Sequence, residues 1–307
     1  MSASSTHFIE VTGARAQGSV MPQIAIVTGT SSGMGLHTAV GLATRGVTVV
    51  ATLRDPSRAD ALRAAAAAAD VRLDIRQLDV TDHLEAAGCV DEVLATYGQI
   101  DILVNNAGRG AVASLEQLTM DDLRAQLEVN YLGVAALTKL VLAPMRLAGS
   151  GRIVTVTSVG GVVGQPFADA YCGAKFAVEG LMQSLAPVAA QFGIGVCVVE
   201  PGAVASDFVA NVAGVLTPHG EPAVPDTGAD DPYASMLLSY LAHSRSAFAA
   251  AQSAADAADV IIEAATAERP RFRWQTSPGA GAFVGLSLTD LDGSRVLGQT
   301  AGWIHTE

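Results

Sequence analysis

Cysteine is scarce in this chain: three residues in 307, Cys89, Cys172 and Cys197. They are too few and too scattered for a disulfide framework or a metal site. Each sits in an apolar stretch, where a free thiol packs as a small hydrophobe. The six histidines show no ligand spacing, so no metal is expected. Charge is thin, at 16% of residues, and 18 Lys plus Arg face 30 Asp plus Glu for a net −12. Such a surface repels phosphate backbones and excludes nucleic acid as a partner. No apolar run reaches the roughly 18–20 uncharged residues that cross a bilayer. The first twenty residues hold Glu10 and Arg15 without a continuous apolar core, so they read as a flexible extension and not a secretory signal. A cytoplasmic location follows as the default.

What is present in quantity is apolar. Half the residues are hydrophobic, enough for a large core. From Gln23 to Val199, short β-branched runs alternate with longer amphipathic stretches. The strand candidates are Ile24–Val27, Val47–Ala51, Arg72–Gln77, Ile102–Val104, Ile153–Val156 and Gly195–Val199. Near-continuous apolar strands are those buried on both faces of a parallel sheet. Between them fall helical stretches at Gly35–Thr44, Ser57–Ala69, Leu84–Thr96, Met120–Met145 and Ala170–Phe192, and two more follow at Asp231–Ala250 and Ala254–Ala267. The expectation is a single α/β domain over 21–307, a Rossmann-type doubly wound parallel sheet with helices on both faces. Residues 203–232 are rich in Gly, Pro, Ala and Asp and lack a period, as a substrate lid would be. Phe208, Val209, Val212, Val215 and Leu216 give that stretch an apolar side.

Thr28-Gly29-Thr30-Ser31-Ser32-Gly33-Met34-Gly35 lies between the first strand and the first helix. Glycines there let the backbone turn sharply and approach a pyrophosphate, and the helix N-terminus offers free N–H groups. At the end of the second strand, where an acidic residue would bind the ribose of NAD, the chain has Arg54. With Ser31 and Ser32 opposite, its guanidinium suits a 2′-phosphate, unless it is only a loop residue paired to Asp55. Asp79-Val80 ends the third strand, placed to reach the adenine, and Asn105-Asn106-Ala107-Gly108 closes the fourth. Asn130 is a polar residue in an apolar helix and needs partners. Tyr171 and Lys175 lie four apart on one helix face, so an ammonium can stabilise a phenolate. Thirteen residues before Tyr171, Ser158 ends the fifth strand at the carboxyl edge, where ligands bind.

Together with Pro201-Gly202, these motifs resemble the short-chain dehydrogenase/reductase family over roughly residues 21–267. Within it the chain is similar to the branch of oestradiol 17β-dehydrogenases and photoreceptor-type retinol dehydrogenases. The residues behind that are Ala51–Asp55, Ser158–Gly161, Pro166-Phe167, Tyr171-Cys172, Lys175–Leu181 and Tyr240–Ser244. The resemblance implies that Tyr171 protonates a carbonyl oxygen, that Lys175 lowers its pKa and holds the nicotinamide ribose, that Ser158 orients the substrate oxygen, and that Asn130 anchors a relay water. The cofactor residues it implies are Gly29, Ser31, Ser32, Gly33, Met34, Gly35, Arg54, Asp79, Val80, Asn106, Ala107, Gly108, Tyr171, Lys175, Pro201 and Gly202. The cofactor is then NADP(H), and the partner a small apolar carbonyl substrate.

Two departures stand out. The branch's substrate-recognition histidine has no match in 203–232, where His219 falls out of register, and the chain diverges from Phe272 onward. The expected activity is an NADPH-dependent carbonyl reductase, reversible as an alcohol dehydrogenase, on a steroid, retinoid or polyketide-like compound. An NAD-dependent alcohol dehydrogenase is the alternative, and a non-catalytic nucleotide-binding regulator would show a damaged tetrad. The resemblance also implies a homodimer or homotetramer along helices 120–145 and 170–192, with Ala135, Ala136, Ala186, Ala189 and Ala190 at the seam.

Overall fold

A computed structural model describes residues 22–205, 231–249, 251–289, 298–299 and 302–303. The apolar runs form strands β1 (Ile24–Thr28), β2 (Thr48–Leu53), β3 (Asp74–Gln77), β4 (Ile102–Asn105), β5 (Gly151–Val156) and β6 (Ile194–Glu200). A two-residue pair, β7 (Val204–Ala205) with β8 (Gln252–Ser253), follows, and then β9 (Arg273–Gln275). The main sheet is parallel throughout, in the order β3-β2-β1-β4-β5-β6-β9. Six strands were expected. The seventh is Arg273–Gln275, which escapes a periodicity reading because only Trp274 of its three residues is apolar and buried.

Alternate residues of each strand enter separate cores, as the two-residue period of a strand requires. Ile26, Leu103, Ile153 and Val198 pack on one face, while Val27, Val104, Val154 and Val199 pack on the other. The first face is covered by α3 (His83–Tyr97), α5 (Gly133–Ala148) and α6 (Asp169–Ala190), through Val90, Leu137 and Met182. The second is covered by α1 (Gly33–Ala43) and α8 (Ala254–Thr266), through Leu36, Leu42 and Ile261. Outside these lie α2 (Asp60–Ala68), α4 (Met120–Leu127), α7 (Ala234–Ala249) and α9 (Pro278–Leu288). Strand order reverses at β1 and β4, so the loops leaving their carboxyl ends diverge and open a crevice.

Two helices differ from expectation. Ser57–Ala69 is split, because Asp55 and Pro56 start a short 3-10 turn, Pro56–Arg58, before α2. Met120–Met145 is not one α-helix: a π turn at Glu128–Leu132 separates α4 from α5. Such turns hold one extra residue and re-aim side chains. Gly133, just after it, lets the helix touch the loop after β3, since a Cβ there would lie 2.6 Å from the Val80 carbonyl. Met120–Ala148 is long and apolar enough to cross a membrane by length and composition, at mean hydropathy 1.3. It carries Asp121, Asp122, Arg124, Glu128, Lys139 and Arg146, so no uncharged run within it reaches bilayer length. In the fold it packs against α3 and α6. The N-terminal extension 1–20 and most of the lid stretch, including Phe208, Val209, Val212, Val215, Leu216 and His219, lie outside the described residues. All three cysteines are buried, as expected.

Candidate active site

The crevice is a cleft of about 1330 Å³, above the roughly 300–1,000 Å³ of an ordinary small-ligand pocket and roomy enough for two molecules side by side. Its floor is the turn after β1. Gly29 and Gly33 have φ of 69° and 58°, the left-handed region that glycine enters freely. Gly35 is required for a different reason: a Cβ there would lie 2.2 Å from the Gly29 carbonyl and 2.3 Å from Asn106 Nδ2. Asn106 is what fixes the turn, donating from Nδ2 to the carbonyls of Thr28 and Gly29 at 2.8 and 3.0 Å. The Thr28 hydroxyl accepts from the backbone of Asn106 and Ala107, both at 3.0 Å. Ser31, Ser32, Met34 and Gly108 line the same cleft. The cradle admits backbone and ligand but no side chain, which suits a pyrophosphate at the N-terminus of α1.

At one end of the cleft Arg54 is exposed and makes no hydrogen bond or salt bridge with the described residues. Toward Asp55 it acts only through its charge, without a hydrogen bond or close ion pair. The Asp55 carboxylate instead accepts from the backbone and hydroxyl of Ser57 at 3.0 and 2.7 Å, which holds its pKa below the usual carboxylate value. The same 3-10 turn carries Arg58 into the cleft wall, a second guanidinium absent from the sequence reading. Its signal was legible in Asp55-Pro56-Ser57, a capping residue before a proline at the first helical position. Asp79 and Val80 line the neighbouring wall, where Asp79 Oδ1 accepts from Thr81.

The other end gathers Ser158, Tyr171 and Lys175. Ser158 follows β5 and is buried, its Oγ accepting from the Gly160 backbone at 2.9 Å. Tyr171 stands on the first turn of α6 and hydrogen-bonds with Ser158. Desolvation pushes its phenol above the usual value of 10, and the Ser158 bond offsets this only in part. Lys175 is buried and donates from Nζ to the Val156 carbonyl at 3.0 Å, standing 5.9 Å from the centre of the Tyr171 ring. Desolvation takes its ammonium from 10.5 down to about 8, with Glu179 pulling the other way. Burial acts on both groups and disfavours both charged forms.

Asn130 is fully buried in the π turn, away from solvent. Its Nδ2 donates to the Arg109 carbonyl at 2.9 Å and to Gln126 Oε1 at 3.0 Å, and its Oδ1 accepts from the Arg109 backbone at 3.2 Å. It thus clamps the loop after Gly108, and its Oδ1 would lie 3.1 Å from a Cβ on Gly108. Pro201 and Gly202, after β6, complete this side of the cleft.

Residues 23–214 match the family model described as short chain dehydrogenase. The chain belongs to the short-chain dehydrogenase family. It is similar to 17-beta-hydroxysteroid dehydrogenase type 1 of Homo sapiens, 37% identical over 278 residues, covering 88% of this chain and 82% of that protein. It is also similar to Retinol dehydrogenase 8 of Homo sapiens, 35% identical over 278 residues, covering 89% and 87%. Among solved structures, a short-chain dehydrogenase from Streptomyces avermitilis superposes with a TM-score of 0.73 at 31% identity, covering 91% of this chain and 97% of that one. Members of the family bind a nicotinamide cofactor and a small-molecule substrate, and this short-chain dehydrogenase is an oxidoreductase of that kind.

Beyond Ser158 and Tyr171, the cleft of this dehydrogenase is walled by residues to which the sequence reading gave no role. Tyr240 and His243 of α7, Phe283 of α9 and Trp303 all line it. His243 stacks on Trp303 with centroids 4.7 Å apart, and Phe283 stacks on the same indole at 5.6 Å. No local pattern announces this wall, because its members are scattered from Tyr240 to Trp303. His243, in the Tyr240–Ser244 segment, is the histidine that reaches the cleft, whereas His219 lies outside the described residues.

Proposed function

We propose that this dehydrogenase is an NADPH-dependent carbonyl reductase, reversible as an alcohol dehydrogenase, acting in the cytoplasm on a bulky apolar ketone or aldehyde such as a steroid, a retinoid or a polyketide-like metabolite. The observation that carries the reading is the convergence of Ser158, Tyr171 and Lys175 on one cleft whose far end holds the glycine turn and the guanidinium groups of Arg54 and Arg58. The names of the two human relatives, a hydroxysteroid and a retinol dehydrogenase, support the apolar substrate class. So does the aromatic wall of Phe283, Trp303 and Tyr240.

In this reading the turn of Gly29, Ser31, Ser32, Gly33, Met34 and Gly35 holds the pyrophosphate, and Asp79 and Val80 border the adenine. Arg54 and Arg58 take the 2′-phosphate, since paired guanidinium forks match its geometry and charge. Asn106, Ala107, Gly108, Pro201 and Gly202 border the nicotinamide half. When bound, NADPH supplies a hydride to the carbonyl carbon. Ser158 donates a hydrogen bond to the carbonyl oxygen and orients it. Tyr171 delivers the proton that neutralises the developing alkoxide, a role in which a phenol raised by burial is well poised to stay protonated at neutral pH. Lys175 holds the ribose hydroxyls, and Asn130 fixes the loop through Gly108 and anchors a relay water. The seam expected along α4 to α6 gives a homodimer in which Leu132, Phe176 and Val188, all exposed, are covered. Ala189 is already buried in the monomer and contributes nothing there.

The test is NADPH and NADH oxidation by the purified protein against 17-keto and 3-keto steroids, retinal, an aromatic polyketide ketone and a small quinone. The expected result is NADPH turnover that vanishes in Tyr171→Phe while NADPH still binds. Failure to bind either nucleotide sinks the reading.

A further inference from the structure

A buried ionic assembly stands directly behind the proposed catalytic residues, and the mechanism above gives it no task. Glu179 lies four residues beyond Lys175 on α6, hence on the same face, and is 4% exposed. Glu200, the last residue of β6, is 0% exposed. Arg273 of β9 joins the two, donating to Glu179 Oε2 at 2.8 Å and also to Glu200 Oε1. The second Glu200 oxygen accepts from Gln275 Nε2 at 2.7 Å. The second Glu179 oxygen accepts from the Thr157 hydroxyl at 2.5 Å, and that hydroxyl also reaches the Val199 carbonyl at 3.0 Å.

Stitching β9 to β6 does not need this. The backbone ladder and buried Trp274 already hold the strand, and buried ion pairs are poor stabilisers next to apolar packing. The charge count is more informative. Two carboxyl groups share one guanidinium, and the other buried cation near them is Lys175, on the same face of α6 as Glu179. Two structural lines run from Glu179 into the site. Thr157 immediately precedes Ser158. The turn after Ser158 also wraps the Glu179 stem, since a Cβ on Gly161 would lie 3.0 Å from Glu179 Cγ and 3.1 Å from the Lys175 carbonyl.

We propose that Glu179 is a positioning residue of the reductase, anchored by Arg273 and Thr157 so that it keeps Lys175 charged and the Ser158 turn in place. Electrostatics agree with the geometry. Glu179 opposes the desolvation that lowers Lys175. Burial pushes Glu179 itself up to about 7, with Thr157 and Arg273 pulling it down and Glu200 pushing it further up. The titratable or charged groups around the pair are Tyr171 and Cys172 on α6, Glu200 on β6 and Arg273 on β9. The end of β5 and the turn after it supply only the Val156 carbonyl and the hydroxyls of Thr157 and Ser158.

The link to turnover rests on the reductase reading, whereas the protonation of Lys175 can be read without cofactor or substrate. Lys139 and Lys175 are the only lysines in the chain. Protein carrying [13Cε]lysine therefore gives two signals, with exposed Lys139 as the internal reference. In Glu179→Gln the Lys175 titration is expected to move at least one pH unit lower while Lys139 stays put. The NADPH-dependent kcat is expected to fall tenfold or more, with KM for the carbonyl within about twofold, and Glu179→Asp is expected to restore much of both. Thr157→Val, which keeps the shape of the side chain, moves Lys175 the same way by less, and it serves if Glu179→Gln does not fold. An unmoved Lys175 titration overturns the proposal. So does a shifted Lys175 with kcat unchanged. A shifted Lys175 in a protein that reduces no carbonyl supports the charge-holding role and sinks the reductase reading alone.

Discussion

Replacing Lys175 with Met should make the protein more stable while destroying its activity. The folded state depresses the lysine pKa from 10.5 to about 8, which at about 1.36 kcal/mol per pKa unit corresponds to roughly 3 kcal/mol for holding the charge in place. Met fills a similar volume without a charge to desolvate. The change removes the donor to the Val156 carbonyl, at 3.0 Å, whose loss costs about 1 kcal/mol. It also removes the favourable partner of Glu179. The net expectation at pH 7 is a gain of about 1–2 kcal/mol, or roughly 0.5 M in urea midpoint for m near 3 kcal/mol/M.

The pH dependence carries the decisive sign. Between about 8 and 10.5 the unfolded chain binds the lysine proton and the folded protein does not. Wild-type stability therefore rises by roughly 3 kcal/mol across that window, so the advantage of the Met variant vanishes within it and reverses by its upper end. Urea unfolding of both proteins at pH 7, 8, 9 and 10 measures this directly. A Met variant less stable than wild type at pH 7 would refute the reasoning, and so would a difference constant with pH.

Gly35→Ala must collide with the Gly29 carbonyl and with Asn106 Nδ2, the two ends of the bond that shapes the cofactor turn. It is expected to weaken NADPH binding tenfold or more and to cost about 1–3 kcal/mol of stability; unchanged affinity in a calorimetric titration would show that the turn is not the pyrophosphate site. Arg54→Asp should reverse the cofactor preference toward NADH by placing a carboxylate where a 2′-hydroxyl can bind it. If NADPH affinity survives that change, the clamp belongs to Arg58 or does not exist.

What the sequence made legible was whatever is encoded locally. The glycine turn, the Tyr171–Lys175 pair and Ser158 at a strand end are short-range patterns, and the structure brings them to one cleft. Five of the first six strands are likewise local, being β-branched runs flanked by helices, whereas β3 has Ile75 as its one apolar residue. Arg273–Gln275 was illegible because its strand character comes from pairing with β6, not from its own residues. The π turn at Asn130 was hidden because one inserted residue hardly disturbs an apolar helical pattern. Most instructive is Lys175. Its place was readable from spacing, but its protonation was not, because desolvation by surrounding elements is a property of the whole fold. The aromatic wall of His243, Phe283 and Trp303 was illegible for the same tertiary reason.

The late arrival of β9 matters for how the protein is made. About 70 residues separate Glu200, at the end of β6, from Arg273, so at ribosomal speeds of 5–20 residues per second β6 waits roughly 4–14 seconds for its neighbour. Throughout that interval Val198, Val199 and Glu200, which pair with β9 in the finished protein, would form an open sheet edge. Such an edge invites pairing with another nascent chain. Two carboxylates beside it, Glu179 and Glu200, meanwhile wait for their guanidinium, and uncompensated charges at an edge discourage that pairing.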